Sequence, residues 1–129
     1  MTTWTADELN KIGKAEELDI MSRRRDGTLR NPVTIWVVPV GDDLYVRAVK
    51  GRTGPWFRGT QERHEGRIRA GGVEREVAFV QVMDPELNRQ IDATYRTKYR
   101  RYAANIVGSV LTPESREATL KLVPRKTGA

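Results

Sequence analysis

Short apolar segments separated by tight-turn signals are the feature that most restricts the fold of this chain. The turn signals between residues 18 and 83 are Asp26-Gly27, Gly41-Asp42-Asp43 and Gly71-Gly72, and each joins two segments rich in branched or aromatic residues. Helical patterns are missing between successive segments. Because a parallel doubly wound sheet needs helices there, we expect hairpin-linked antiparallel strands that close into a small barrel.

Six strands are predicted, five in the region 18–83 and the last over residues 116–124. The first five begin at Leu18 and at residues 33, 44, 66 and 73. Pro32 and Pro39 bracket the second strand, and since proline cannot donate to a ladder they should mark its ends or bulges. With 129 residues, of which 38% are hydrophobic, residues 1–129 are expected to form a single mainly β (α+β) domain.

Two helices are predicted, one before the barrel strands and one before the last strand. Thr5 and Glu8 form a capping box for a helix over residues 5–17 that should lie over the core. Asp84-Pro85 starts a long helix over residues 84–107. Its apolar face recurs at helical spacing through Leu87, Ile91, Tyr95, Tyr99, Tyr102 and Ile106.

Several kinds of chemistry are excluded by composition. The chain has no cysteine, so disulfides, cysteine zinc sites and thiol nucleophiles are ruled out, and its single histidine, His64, rules out a multi-histidine metal centre. Apolar runs fall short of the ~20 residues that cross a bilayer, and the N-terminus lacks the layout of a signal peptide. We therefore expect a cytoplasmic protein without a metal site.

The positive charge is concentrated in one part of the chain. Residues 21–75 contain twelve Arg or Lys and six Asp or Glu, whereas the rest contains eleven of each, so the whole net charge of +6 lies in this segment. All but one of its cations are arginines, whose planar donors suit phosphate and carboxylate. The segment predicts an anionic partner, either a cofactor phosphate or a polyanion such as nucleic acid.

Two basic stretches in this segment are candidates for such a site. Residues 23–25 and Arg30 lie on the arms of the first hairpin and form either part of an anion pocket or a solvated tip. Residues 47–54 combine cations with two glycines, so their backbone could approach an anion closely. This loop lacks the glycine spacing and terminal Lys-Ser/Thr of a P-loop.

Aromatic residues provide further candidates. Trp56-Phe57-Arg58 could stack on a flat ring or plug one end of the barrel. Tyr95, Lys98 and Tyr99 share a helix face, which is either core or a partly buried amine among phenols. Glu62, His64 and Glu65 have no matching nucleophile, so the catalytic residues are not identified.

Taken together, the segments resemble the flavin-binding split-barrel superfamily. The similarity extends over residues 5–124 and is carried by Arg30-Asn31-Pro32-Val33, Trp36-Val-Val-Pro-Val, Tyr45-Val-Arg-Ala, the hairpin from Gly71 to Phe79, and Tyr95-Arg-Thr-Lys-Tyr99. The chain looks closest to the deazaflavin-dependent nitroreductase branch, and within it to a small bacterial family of unknown function. The resemblance implies a six-stranded split β-barrel, FMN or a deazaflavin as cofactor, and a homodimer whose groove is completed by the second subunit.

The resemblance also implies site residues. The cofactor-binding positions that match are Arg30, Asn31, Pro32, Val33, Arg47, Ala48, Lys50, Gly51, Trp56 and Arg58, and the substrate side would be Tyr95, Lys98 and Tyr99. The implied activity is hydride transfer to a small organic acceptor. Two alternatives stay open: a non-enzymatic module that binds nucleic acid or another polyanion, and a cofactor-free relative that binds a small acidic metabolite.

Overall fold

A curled antiparallel sheet of seven strands forms the centre of the computed structural model, which describes residues 3–125. The strands are β1 (Leu18–Ser22), β2 (Val33–Ile35), β3 (Val38–Val40), β4 (Asp43–Arg47), β5 (Glu65–Ala70), β6 (Val73–Gln81) and β7 (Thr119–Pro124). The helices are α1 (Ala6–Lys14), α2 (Pro55–Arg63), α3 (Pro85–Lys98), α4 (Ala104–Gly108) and α5 (Pro113–Glu117). The predicted α+β class with antiparallel hairpins is confirmed.

The sheet curls because its two edges are neighbours in the sequence. The strand order is β2-β1-β5-β6-β7-β4-β3, so β2 and β3 are the two edge strands. Only Trp36 and Val37 connect them. Three residue steps reach at most ~11 Å, so the edges must lie close together at this point. The result is a barrel that is open between β2 and β3.

The prediction of six strands is wrong because residues 33–38 form parts of two strands. Val37 is fully buried, and its backbone bonds to side chains of the α3 region instead of a ladder. Its N–H donates to Tyr99 Oη at 3.2 Å, and its carbonyl accepts from Lys98 Nζ at 2.5 Å. The strand resumes as β3, and Pro39 is accommodated there because β3 is an edge strand.

The first helix closes one end of the barrel. The capping box of Thr5 and Glu8 is present, and α1 ends at Lys14, three residues before the predicted end. Trp4 is 5% exposed, and its indole N–H donates to the carbonyl of Leu122 at 3.0 Å. Trp4 and Leu9 both pack on the hydrophobic cluster inside the barrel.

Two short helices were missed by the sequence reasoning. Trp56-Phe57-Arg58 lies in α2, which begins with Pro55 after Gly54 and buries Phe57 and Thr60. Helix α5 follows Thr112, whose hydroxyl accepts from the N–H of Ser115. In both places a proline stands at the first helical position, which is a helix start signal.

The predicted helix over residues 84–107 is two helices. Asp84 caps α3 as expected, but the helix ends at Lys98, and α4 begins at Ala104. At the break, Tyr99 and Tyr102 turn toward Trp36 and residue Glu16. A second buried cluster fills the space between α3 and the outer face of the sheet.

Candidate functional site

A groove of about 510 Å³ opens beside the gap in the barrel. One wall is β2 with the connection to β3, the second is the end of β4 and the turn after it, and the third is α4 with the residues that follow. Its lining residues are Val33, Thr34, Ile35, Trp36, Arg47, Ala48, Val49, Lys50, Gly54, Pro55, Trp56, Ile106, Ser109 and Val110.

The groove is mainly apolar and partly open to solvent. Val33, Val49 and Ile106 are 37%, 53% and 45% exposed, and all three line it. Trp36 and Trp56 add two half-buried indoles. Concentrated apolar exposure in a concave surface is typical of a ligand site, because it costs free energy that binding recovers.

Lys50 is the cation of the groove that is free to meet a ligand. Its side chain is exposed, and within residues 3–125 it forms no ion pair. It precedes a 3₁₀ turn over Gly51–Thr53, after which Gly54 caps α2. Because the first backbone N–H groups of a helix lack helical partners, the N-terminus of α2 adds positive potential to the same wall.

Arg47 lines the groove, but its guanidinium is directed into the protein. Its side chain is fully buried and forms an ion pair with Asp92 of α3. The remaining N–H groups donate to Thr119 Oγ1 at 2.9 Å, to the carbonyl of Val110 at 3.0 Å, and to Asn88 at 2.9 and 3.1 Å. All five donors are therefore used, so Arg47 has none left for a phosphate.

Arg30 also has partners within the fold. Its guanidinium pairs with Glu62 of α2 at 2.9 Å and donates to the carbonyls of Arg23 and Gly59 at 3.1 and 3.3 Å. It does not line the groove, nor do the exposed residues Asn31 and Pro32. In the described part of the chain, the predicted cofactor-binding residues that the groove brings together are Val33, Arg47, Ala48, Lys50 and Trp56.

The other two predicted cofactor-binding residues, Gly51 and Arg58, lie near the wall formed by the end of β4 and the turn after it, but they do not line the groove. Gly51 is buried, and a Cβ there would lie 3.1 Å from that of Glu114, so its position serves the contact with α5. Arg58 is exposed on the first turn of α2, where its N–H donates to the carbonyl of Gly54.

The predicted substrate-side residues lie behind Trp36. Tyr95 and Tyr99 are buried, and burial raises the pKa of both phenols. The Oη of Tyr95 has no hydrogen-bond partner among the described residues. Burial lowers the pKa of Lys98 to about 8, and its Nζ donates to the carbonyl of Val37. These groups support the wall of the groove and do not themselves line it.

The sequence reasoning did not assign several lining residues to the site. Trp36 was named only within a segment that carries the resemblance, and Ile106 only within the apolar face of the predicted long helix, but both line the groove. The break after α3 places Ile106 there, because it changes the direction of the chain. A possible signal for the groove wall was Gly54-Pro55, a helix start directly after a basic loop.

Most cations of the 21–75 segment pair with carboxylates of the same chain. Seven of the twelve form ion pairs: Arg23, Arg30, Arg47, Arg63, Arg67, Arg69 and Arg75. Glu62 and Glu65 bind such arginines, so they do not form a catalytic group with the exposed His64. Seven of the twelve cations that predicted an anionic partner therefore have carboxylate partners among residues 3–125.

Residues 8–122 match the family described as "Uncharacterized protein conserved in bacteria (DUF2255)". The chain belongs to this family. No curated protein matches it.

Solved structures with a similar fold include the conserved hypothetical protein Rv2991 of Mycobacterium tuberculosis, with a TM-score of 0.69 and 11% identity over 97% of this chain and 83% of that one. A FAD-binding protein from Mesorhizobium loti gives a TM-score of 0.58 and 11% identity over 96% and 92% of the two chains. A protein described as F420 reductase gives a TM-score of 0.56 and 13% identity over 93% of each chain.

These similarities confirm the resemblance to the flavin and deazaflavin split barrels at the level of the fold. At such low identity, a shared fold does not transfer an activity. Within residues 3–125, no helix has the length and apolarity needed to cross a membrane.

Proposed function

We propose that this protein binds a flavin or a deazaflavin in the groove between β2, β4 and α4 and transfers hydride to a small organic acceptor. The observation that carries the proposal is the groove itself, where two indoles and exposed aliphatic side chains surround a space that Lys50 also lines. Such a site suits a flat ring that carries an anionic tail. Proteins of the same fold are described as FAD-binding and as F420 reductase.

The residues of the groove fit the parts of such a cofactor. Trp36, Trp56 and Ile106 would pack against the ring, and Lys50 with the N-terminus of α2 would attract the phosphate. In this proposal Arg47 does not contact the cofactor, because its buried ion pair with Asp92 holds the end of β4 against α3. Arg30 similarly ties the first hairpin to α2.

When bound, the cofactor would supply the hydride chemistry, and the protein would supply position and environment. The apolar walls would keep water from the reacting face. Trp36 is held in place by its stacking on Tyr99, with ring centroids 3.9 Å apart. We further propose a cytoplasmic homodimer, in which a second copy covers the exposed Val33, Val49 and Ile106. Size-exclusion chromatography coupled to light scattering tests the dimer.

The binding test is a fluorescence titration of FMN, FAD, F420 and riboflavin with the purified protein. We expect saturable binding of at least one phosphate-bearing cofactor. Lys50→Gln should weaken that binding by roughly 10- to 100-fold, because a hydrogen bond to a charged group contributes about 1.5–3 kcal/mol. Lys14→Gln, an exposed lysine of α1, is the matched control and should leave the affinity unchanged.

Riboflavin separates the two parts of the proposal because it has the ring but no phosphate. Its affinity should be insensitive to Lys50→Gln and should fall with Trp56→Ala. If neither flavins nor F420 bind, the proposal is wrong, and binding of small carboxylates in their place would identify a cofactor-free metabolite site. With a bound cofactor, reduction of a nitroaromatic acceptor tests the reaction.

A further inference from the structure

Three aromatic rings lead from the groove toward the protein surface. Trp36 lines the groove and stacks on Tyr99, with an interplanar angle of 5°. Its centroid is also 5.1 Å from that of Tyr102, which is half-buried at the outer end of the cluster. Such contacts are close enough for electrons to move between neighbouring rings.

Tyr102, at the outer end of this cluster, is hydrogen-bonded to a group that can accept its proton. Its Oη donates to Glu16 Oε1 at 2.5 Å. The same carboxylate pairs with Arg101, whose guanidinium also lies over the Tyr102 ring at 5.2 Å. Oxidation of a phenol is far easier when its proton can pass to a base at the same time, and this hydrogen bond provides that path.

Tyr99 is closer to Trp36 but lacks a comparable acceptor. Its hydroxyl lies 2.7 Å from the carbonyl of Glu16 and 3.1 Å from that of Val37, and a peptide carbonyl is too weak a base to take a phenolic proton. Burial also raises the pKa of this phenol. Tyr99 therefore fixes the indole, and Tyr102 is the better electron donor.

We propose that Trp36, Tyr102 and Glu16 form a path that supplies one electron to an oxidising species in the groove. A one-electron oxidant there, such as an organic radical or an electronically excited flavin-type ring, takes an electron from Trp36 and is itself reduced. Tyr102 returns an electron to the indole, and its phenolic proton moves to the Glu16 carboxylate. The products are the reduced oxidant, the restored indole, a neutral Tyr102 phenoxyl radical and a protonated Glu16.

Pulse radiolysis with azide radicals tests this path without any cofactor. The azide radical oxidises indoles, so the absorption of the indole radical appears first, and its decay is matched to the growth of the phenoxyl absorption. We expect a fast phenoxyl phase, independent of protein concentration, that is lost in both Trp36→Phe and Tyr102→Phe. Glu16→Gln should slow that phase because it removes the proton acceptor. The further slowing on changing from H₂O to D₂O should be larger in this variant than in the native protein.

Tyr45→Phe is the matched control, because Tyr45 belongs to the same buried cluster but makes none of these contacts. It should keep the fast phase, and circular dichroism should show that every variant is folded. A fast phase that survives in Tyr102→Phe, or one that scales with protein concentration, overturns the proposal. Because the measurement uses free azide radicals, this result is independent of whether the groove binds a flavin.

Discussion

Replacing Asp92 with alanine removes the carboxylate that neutralises a buried guanidinium. The side chain of Arg47 is 0% exposed and that of Asp92 is 8% exposed, so water cannot replace the lost partner. Breaking such a pair costs about 3–5 kcal/mol, because the remaining charge stays buried without compensation. Arg47 keeps its bonds to Thr119, Val110 and Asn88, so we expect the lower end of that range.

Urea unfolding measures this change in the free energy of unfolding. With a slope of about 1–3 kcal/mol per molar urea, a loss of about 3 kcal/mol should lower the unfolding midpoint by roughly 1–3 M. The control is Glu86→Ala, which breaks the pair with Arg89 where both side chains are more than half exposed. This pair should contribute at most about 1 kcal/mol.

A double variant tests the cause assigned to the loss. If the loss comes from the orphaned charge, combining Asp92→Leu with Arg47→Met should recover much of the stability that Asp92→Ala removes. Equal effects of Asp92→Ala and Glu86→Ala would refute the reasoning, since they would mean that the buried position of the pair makes no difference.

Three further predictions concern stability. Burial lowers the pKa of Lys98 from 10.5 to about 8, so the unfolded chain binds more protons between these values. Lys98→Met should therefore stabilise the protein at pH 7, and the advantage should shrink as the pH rises from 8 to 10.5 in urea titrations. Burial raises the pKa of Glu76, but bonds to two arginines outweigh it and lower the pKa overall. The free energy of unfolding of the native protein should therefore fall in acid. Glu76→Gln should be less stable than the native protein above pH 5 and should lose less stability in acid; identical acid profiles of the two proteins would contradict this. Gly66→Ala should cost about 1–3 kcal/mol in thermal unfolding, because its Cβ would meet the backbone of Met21 on the neighbouring strand, whereas Gly108→Ala meets nothing.

Local signals account for the parts of the fold that were predicted well. The capping box of Thr5 and Glu8, the turn at Gly71-Gly72 and the cap at Asp84 all depend on residues within a few positions of one another. Each of these signals can therefore be recognised from the sequence without knowledge of the tertiary structure. The errors arise where distant residues decide the structure. The backbone of Val37, for example, bonds to side chains 61 and 62 residues away instead of to a neighbouring strand.

The candidate site was predicted in part for the same reason. The basic loop with Lys50 and the aromatic Trp56 were visible in the sequence, and the groove brings both together. The role of Trp36 was not visible, since a tryptophan in an apolar strand has the same pattern whether it faces the core or a groove. Only the break after α3, which brings Ile106 opposite, makes that wall part of a site.

By itself, the sequence determined an antiparallel α+β barrel, an arginine-rich segment and the absence of thiol chemistry. The tertiary structure decided which cations of that segment remain available to a ligand. Arg47 and Lys50 are three positions apart and look equivalent in the sequence, yet one is buried against Asp92, 45 residues away, and the other is exposed at the groove. Charge is a property of the residue, but its neutralisation depends on which distant carboxylate the fold brings within reach.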